Sequence, residues 1–358
     1  MGLRPKAPLM NTTLYPLLTT PQIVSPIWGG TRLAPWLDLP PPHPDQIGEI
    51  WLIYDQNRVT NGPLAGQSLA ELARSYGTTL VGERSFARYG ADFPLLAKFI
   101  DSAARLSIQV HPDDAYAHRH EAASGFHGKT EAWYILDAAP GADITYGMRQ
   151  TCDRETFASA VHTGTLEDLL ERVPVTPGDM ILVPAGTIHA INAGLLIFEI
   201  QERSDLTYRV YDYNRRDAKT GQLRELHLDK ALDVCTFGPA RHAKLPHLNL
   251  APGRDLLVAC PYFALERWQL AGHANLEYQG SFEILTMIEG ACSLIWAHGE
   301  LPLRHGDAVV IPDSLKHCSL VGNATLMRVY VPDLTSLMAT LRRAGHSEAH
   351  LSTTIPTL

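Results

Sequence analysis

The sequence predicts a mainly β fold: two jelly-roll barrels in one chain, the first carrying a small helical insertion. Short apolar runs rich in aromatic and β-branched residues recur along the chain, with Gly 27 and Pro 25 among 358 residues to break them into turns. A segment also repeats. Residues 176–191 read TPGDMILVPAGTIHAI and residues 304–319 read RHGDAVVIPDSLKHCS. Gly178, Asp179, Pro184 and His189 match Gly306, Asp307, Pro312 and His317 at identical spacing. Upstream of each copy an acidic residue opens an apolar strand, Glu131 in TEAWYIL and Glu283 in FEILTMIEG.

The elements follow in order. The first fifty residues are proline-rich and irregular, and GEIWLIYD (48–55) then reads as a buried strand. SLAELARSYG predicts a helix, with Ser68 and Glu71 as a capping box and Gly77 as the stop. Residues 95–111 predict strand or turn followed by strand, and TEAWYIL (130–136) a strand ending at the PGAD turn (140–143). Residues 153–173 change period. DRETFASAV and TLEDLLERV carry helical spacing, with Asp153 and Thr165 as N-caps. Strands resume at DMILVP, AINAGLLIFEIQ and TYRVYDY. Proline-rich 238–252 reads as a linker, 256–331 as short strands, and 335–343 as a helix before a polar tail. The domains expected are therefore 1–240, with an N-terminal extension and the insertion at about 153–173, then 253–332, then a C-terminal helix and tail over 333–358.

Composition excludes several classes. A net charge of −8 without a Lys/Arg run argues against nucleic acid and anionic membrane surfaces. No stretch has the length of a membrane span. The segment after Arg4 and Lys6 is broken by prolines, and Lys6 occupies the place where a myristoylation motif at Gly2 needs Ser or Thr. Five cysteines without CxxC spacing read as free thiols, so a cytoplasmic protein is expected. Oligomeric state is not legible.

A glycine turn, a buried strand, a proline-ended turn and a histidine opening the next strand make the second sequence motif of a cupin, a small jelly roll. The first copy has more polar equipment. Gln109 and His111 are i and i+2 on a strand, so both enter one cavity. Glu131 and His189 open two further strands. Two imidazoles, a carboxylate and an amide oxygen make a divalent-metal site, compatible with zinc and with non-haem iron. His118, His120 and His127 fall in a predicted loop and read as solvated. The second copy keeps Glu283 and His317 without a QxH partner, so it reads as a degenerate barrel without metal.

LSIQVHPDDAYA (106–117), HGKTEAWYIL (127–136), PAGTIHAI (184–191) and EIQERSDLTYRVYDY (199–213) together resemble type I mannose-6-phosphate isomerase, in particular its shorter bacterial form. NGPLAG (61–66) and IWGG (27–30) also look like that family, and the likeness runs over roughly residues 16–332. The resemblance implies one zinc per chain on Gln109, His111, Glu131 and His189. It implies catalytic roles for Arg209, Glu199 and Lys129, and a sugar-phosphate substrate contacted by Lys98, Ser107 and Arg209. The implied reaction interconverts mannose 6-phosphate and fructose 6-phosphate through an enediol. A solvated Lys98, and an Arg209 ion-paired to Glu202 or Asp205, are the structural alternatives. At the level of function, the alternatives are an Fe(II) cupin oxygenase and a non-catalytic sugar-binding cupin.

Overall fold

The computed structural model describes residues 12–216 and 221–356. Gly2, Arg4 and Lys6 lie outside the described residues, as do Thr357 and Leu358 of the tail. The chain divides into two compact units. One comprises residues 22–51, 95–248 and 346–358, the other residues 1–21, 52–94 and 249–345. Residues 52–94, read from sequence as part of the first domain, thus make their contacts in the unit that holds the second barrel.

The first unit is a barrel of two facing sheets. The six-stranded sheet runs in the order Gln22–Val24, Glu49–Ile53, Leu95–Ser102, Leu195–Glu202, Glu131–Ala138, Met180–Val183. The five-stranded sheet runs Tyr208–Tyr211, Ile108–Val110, His189–Ile191, Asp143–Met148, Leu170–Pro174. Alternation sorts the side chains. From the five-stranded sheet, Ile144, Tyr146 and Ile191 point inward and pack with Trp133, Ile135, Ile181 and Ile197 of the other sheet. Ile108, Val110, Ala190, Tyr208 and Val210 point outward, where Phe157, Leu166, Ala231 and Leu232 cover them. Phe157 and Leu166 come from the predicted insertion, so the insertion seals the outside of the sheet that carries the histidines.

The second unit is an eight-stranded sheet curled by three long strands, Ala264–Leu276, Glu283–Trp296 and Cys318–Tyr330. The sequence repeat is a structural repeat. Gly178 and Gly306 both have positive φ (94° and 84°), the conformation that glycine tolerates at such a turn. Asp179 accepts from the Thr176 amide at 2.7 Å and Asp307 from the Arg304 amide at 2.9 Å. The buried strands that follow, Met180–Val183 and Ala308–Ile311, pair Val183 with Glu131 and Ile311 with Glu283. The chain is thus mainly β with two cupin-type jelly rolls, as the sequence predicts.

Local readings fare unevenly. The Ser68–Glu71 capping box forms, with Gly77 at the helix end, and Asp153 caps its helix through the Thr156 amide. Thr165 makes no side-chain cap, and its helix spans only Leu166–Leu169 before the chain turns extended. Three expectations are corrected. Residues 114–120 are helical, capped by Asp113. The 238–252 linker ends in the strand Leu248–Ala251. The polar tail holds the helix Glu348–Thr354, started by Ser347. No disulfide joins the five cysteines. Among the described residues, no helix is long and apolar enough to cross a membrane.

Candidate metal centre and active site

Strand register gathers the predicted residues at one end of the first barrel. On the five-stranded sheet, Gln109 pairs with His189 on one side and Arg209 on the other, a row of three side chains on the inner face. Across from them Glu199 pairs with Lys98, and Gln201 with Glu131. These polar groups stand above the apolar interior and surround a cavity of about 310 Å³. Lys98, Ser107, Gln109, Lys129, Glu199 and Arg209 line it, with Glu131 at its inner wall.

His111, Glu131 and His189 converge, a donor atom from each lying within 4.8 Å of the others. Glu131 Oε2 is 3.5 Å from His111 Nε2, and Oε1 is 3.2 Å from His189 Nε2. Both imidazoles are oriented from behind. His111 Nδ1 lies 2.8 Å from the Leu206 carbonyl, and His189 Nδ1 lies 2.8 Å from the Thr187 carbonyl. Each Nδ1 therefore donates a proton backward, and each Nε2 aims a lone pair at the centre, the tautomer that metal-bound histidines adopt. Burial and then the Lys129 ammonium drive His111 down to about 3, so it is neutral near pH 7. Burial pushes the Glu131 carboxyl up, but the Lys129 ammonium outweighs it and holds the carboxyl well below its usual range.

Two imidazoles and a buried carboxylate fit a divalent ion. The Lys129 ammonium already meets their lone pairs, 2.7 Å from Glu131 Oε2 and 3.1 Å from His111 Nε2. The centre attracts a cation. Gln109 stands at its edge in a different pose from the ligand the sequence implies. Its Nε2 faces His189 Nε2 at 3.4 Å, and its Oε1 accepts from Ser107 at 3.3 Å.

Lys98 is buried rather than solvated, because two carboxylates hold it. Its Nζ is 3.2 Å from Glu49 and 3.2 Å from Glu199. Burial lowers its pKa, but Glu199 and Glu49 override this and raise it, keeping the ammonium charged. Glu199 is buried as well. Burial raises it to about 7, with the Lys98 attraction opposing and the Glu131 charge assisting. Arg209 does not make the ion pair with Glu202 or Asp205 that was the structural alternative. Its guanidinium donates to the Glu225 carbonyl at 2.8 Å, and its buried Nε has no hydrogen-bond partner among the described residues. Burial and the neighbouring Arg224 lower its pKa.

Sequence reasoning left three wall residues without a role. Glu49 and Trp51 are i and i+2 on a strand and share the inner face, with Trp51 Nε1 donating to Glu49 at 2.6 Å. That spacing was legible. Arg224 reaches the cavity from an irregular segment, held by Asp212 at 2.7 and 2.6 Å, and no local pattern marks it.

In the second barrel Glu283 takes the place of Glu131, but its partner is a guanidinium. Fully buried Arg328 donates to both Glu283 oxygens at 2.7 Å and lies 3.5 Å from Glu266. Glu266 also accepts from Trp268 at 2.6 Å and Tyr330 at 2.8 Å. His317 is exposed. Among the described residues, no metal-ligand cluster forms around Glu283.

Fold and site together define a double-cupin enzyme with one His/His/Glu centre. Comparison with known proteins gives the family. The model for the phosphomannose isomerase type I catalytic domain matches residues 17–138, and the model for the mannose-6-phosphate isomerase cupin domain matches residues 254–331. Mannose-6-phosphate isomerase ManA of Bacillus subtilis is 40% identical over 323 residues, covering 87% of this chain and 98% of that protein. Mannose-6-phosphate isomerase of Streptococcus mutans is 34% identical, covering 87% and 97%. The chain belongs to the type I mannose-6-phosphate isomerase family. The crystal structure of the Bacillus subtilis mannose 6-phosphate isomerase superposes with a TM-score of 0.79 at 35% identity, over 88% of this chain and 99% of that one. A zinc-bound mannose 6-phosphate isomerase shares the fold, with a TM-score of 0.70 at 18% identity over 88% of this chain and 99% of that one.

Proposed function

We propose that this enzyme interconverts mannose 6-phosphate and fructose 6-phosphate with one zinc ion at the inner centre. The observation that carries this reading is the juxtaposition of His111, Glu131 and His189 with the Lys98–Glu199 pair across one cavity. His111 Nε2, His189 Nε2 and the Glu131 carboxylate would hold the ion, with Gln109 beside them. Zinc bound there supplies a Lewis acid that polarises the open-chain carbonyl and its neighbouring hydroxyl, without redox chemistry. Glu199 takes the C2 proton and returns it to C1, and its raised pKa makes it a competent base near neutrality. Lys98 orients Glu199 and stabilises its carboxylate form. Lys129 faces the developing enediol oxygens with its ammonium. Arg209, with Arg224 beside it and Ser107 on the same wall, receives the phosphate. The second barrel, residues 253–332, serves as a metal-free packing domain, and the protein works in the cytoplasm.

A coupled assay of fructose 6-phosphate formation tests this. Wild-type protein turns over mannose 6-phosphate, and Glu199→Gln keeps KM within a few-fold while kcat collapses. Equal kcat in wild type and Glu199→Gln would remove Glu199 as the base. No turnover by wild type with zinc bound would move the protein to another aldose or to sugar binding. Oxygen uptake on loading Fe²⁺ would favour an oxygenase.

A further inference from the structure

Outside the cavity, one other group of side chains among the described residues has metal-ligand chemistry and spacing: Asp114, His118 and His127. Asp114 and His118 are one turn apart on the helix Asp114–His120 and share a face. His127 comes from the loop that follows. His118 Nε2 and His127 Nδ1 are 2.9 Å apart, with their rings inclined at 79°. The predicted solvated loop is thus partly a built cluster, whereas His120 instead stacks on Tyr116 at 4.3 Å. Two zinc–imidazole bonds of about 2.0–2.1 Å at a tetrahedral ion set their nitrogens roughly 3.3 Å apart. The His118–His127 pair stands within a few tenths of an ångström of that separation, so admitting an ion needs only a small opening.

We propose that Asp114, His118 and His127 form a second, outer site for a borderline transition-metal ion such as Zn²⁺. Two imidazoles and one carboxylate favour Zn²⁺, Co²⁺, Ni²⁺ and Cu²⁺ over Mg²⁺ and Ca²⁺. Three protein ligands leave a coordination position open to solvent. The site is braced. Asp114 Oδ1 accepts from the Gly128 amide at 2.9 Å, and the His127 carbonyl accepts from Ser204 at 2.9 Å. Gly128 approaches so closely that a Cβ there would lie 2.5 Å from the Asp113 backbone. An ion on all three side chains ties the helix to the loop just ahead of Lys129 and Glu131.

The test is metal stoichiometry on the full chain. Stripped wild type and the variants His118→Ala, His127→Ala, His120→Ala and His111→Ala are loaded with Co²⁺ as a zinc surrogate, with Mg²⁺ in excess. Metal per chain and the visible Co²⁺ bands are then measured. Two ions per chain are expected for wild type and His120→Ala. One is expected for His118→Ala and His127→Ala, and a spectrally different one for His111→Ala. Wild-type loading unchanged in both His118→Ala and His127→Ala would overturn the outer site and leave a hydrogen-bonded histidine pair. The inner centre is read separately through His111→Ala, so failure of one site is distinguishable from failure of the other.

Discussion

The two barrels begin from the same repeat and differ in what neutralises the carboxylate at its end. In the first, Glu131 faces two imidazoles whose lone pairs point inward and an ammonium that reaches them from the cavity wall. In the second, Glu283 is closed off by the bidentate grip of Arg328, itself stacked over Trp268 and Tyr330 at 5.2 Å each. Both solve one physical problem, the cost of an uncompensated charge in a barrel interior. A guanidinium built into the chain solves it permanently and fills the space. Histidines leave room for a cation from outside, beside a cavity of about 310 Å³. On the proposed function, one arrangement makes a packing domain and the other an active site.

The largest effect expected from breaking this contrast is at His111. Replacing it with Ala removes a lone pair from the centre, and kcat should fall by about 10³-fold or more, the scale of losing electrostatic support for developing negative charge. A coupled isomerase assay reads this. Next comes Arg328→Met, which strands Glu283 and leaves Glu266 to Arg254 in the second barrel. Chemical denaturation should show a loss of about 3–5 kcal/mol, because one partner of a buried ion cluster is gone. The kcat of the folded fraction should stay within two-fold. A drop in kcat matching that of His111→Ala would mean that the second barrel does chemistry.

Smaller effects sharpen the picture. The Glu199 carboxyl, raised to about 7 by burial, must be ionised to accept a proton, so kcat/KM falls as the pH drops through its titration. A bound cation lowers that value, so the acid limb is expected at or below pH 7. Lys98→Met removes an attraction that favours the carboxylate, and the limb should move upward by about one pH unit. A downward shift in the pH–rate profile would contradict the pairing. The smallest effect is at His317. It matches His189 in the repeat but is exposed, so His317→Ala should change stability by less than about 0.5 kcal/mol and leave turnover unchanged.

What the sequence made legible follows from periodicity. The Gly-Asp turns, the apolar strands after them and the i, i+2 pair Gln109–His111 carry local signatures, and the structure realises them. The Ser68–Glu71 box was readable for the same reason. What escaped depends on tertiary contacts. Burial of Lys98 needs Glu49 and Glu199 on neighbouring strands, and a lone lysine in LLAKFIDS gives no sign of them. Arg328 looks like any strand arginine until its register opposite Glu266 is known. Arg224 lies in irregular chain, and the 114–120 helix was hidden by the polar residues that make it a surface element. The family resemblance supplied roles for Lys129 and Arg209, while the ammonium's place at the centre came from geometry.

The most direct test of the central contrast is zinc-dependent turnover of metal-stripped protein. Mannose 6-phosphate is supplied to stripped wild type, His111→Ala and Arg328→Met, with and without added Zn²⁺. Zinc should restore fructose 6-phosphate formation in wild type and in folded Arg328→Met, and should fail to restore it in His111→Ala. Full turnover by stripped wild type, or equal rescue of His111→Ala, would contradict a metal-dependent first barrel.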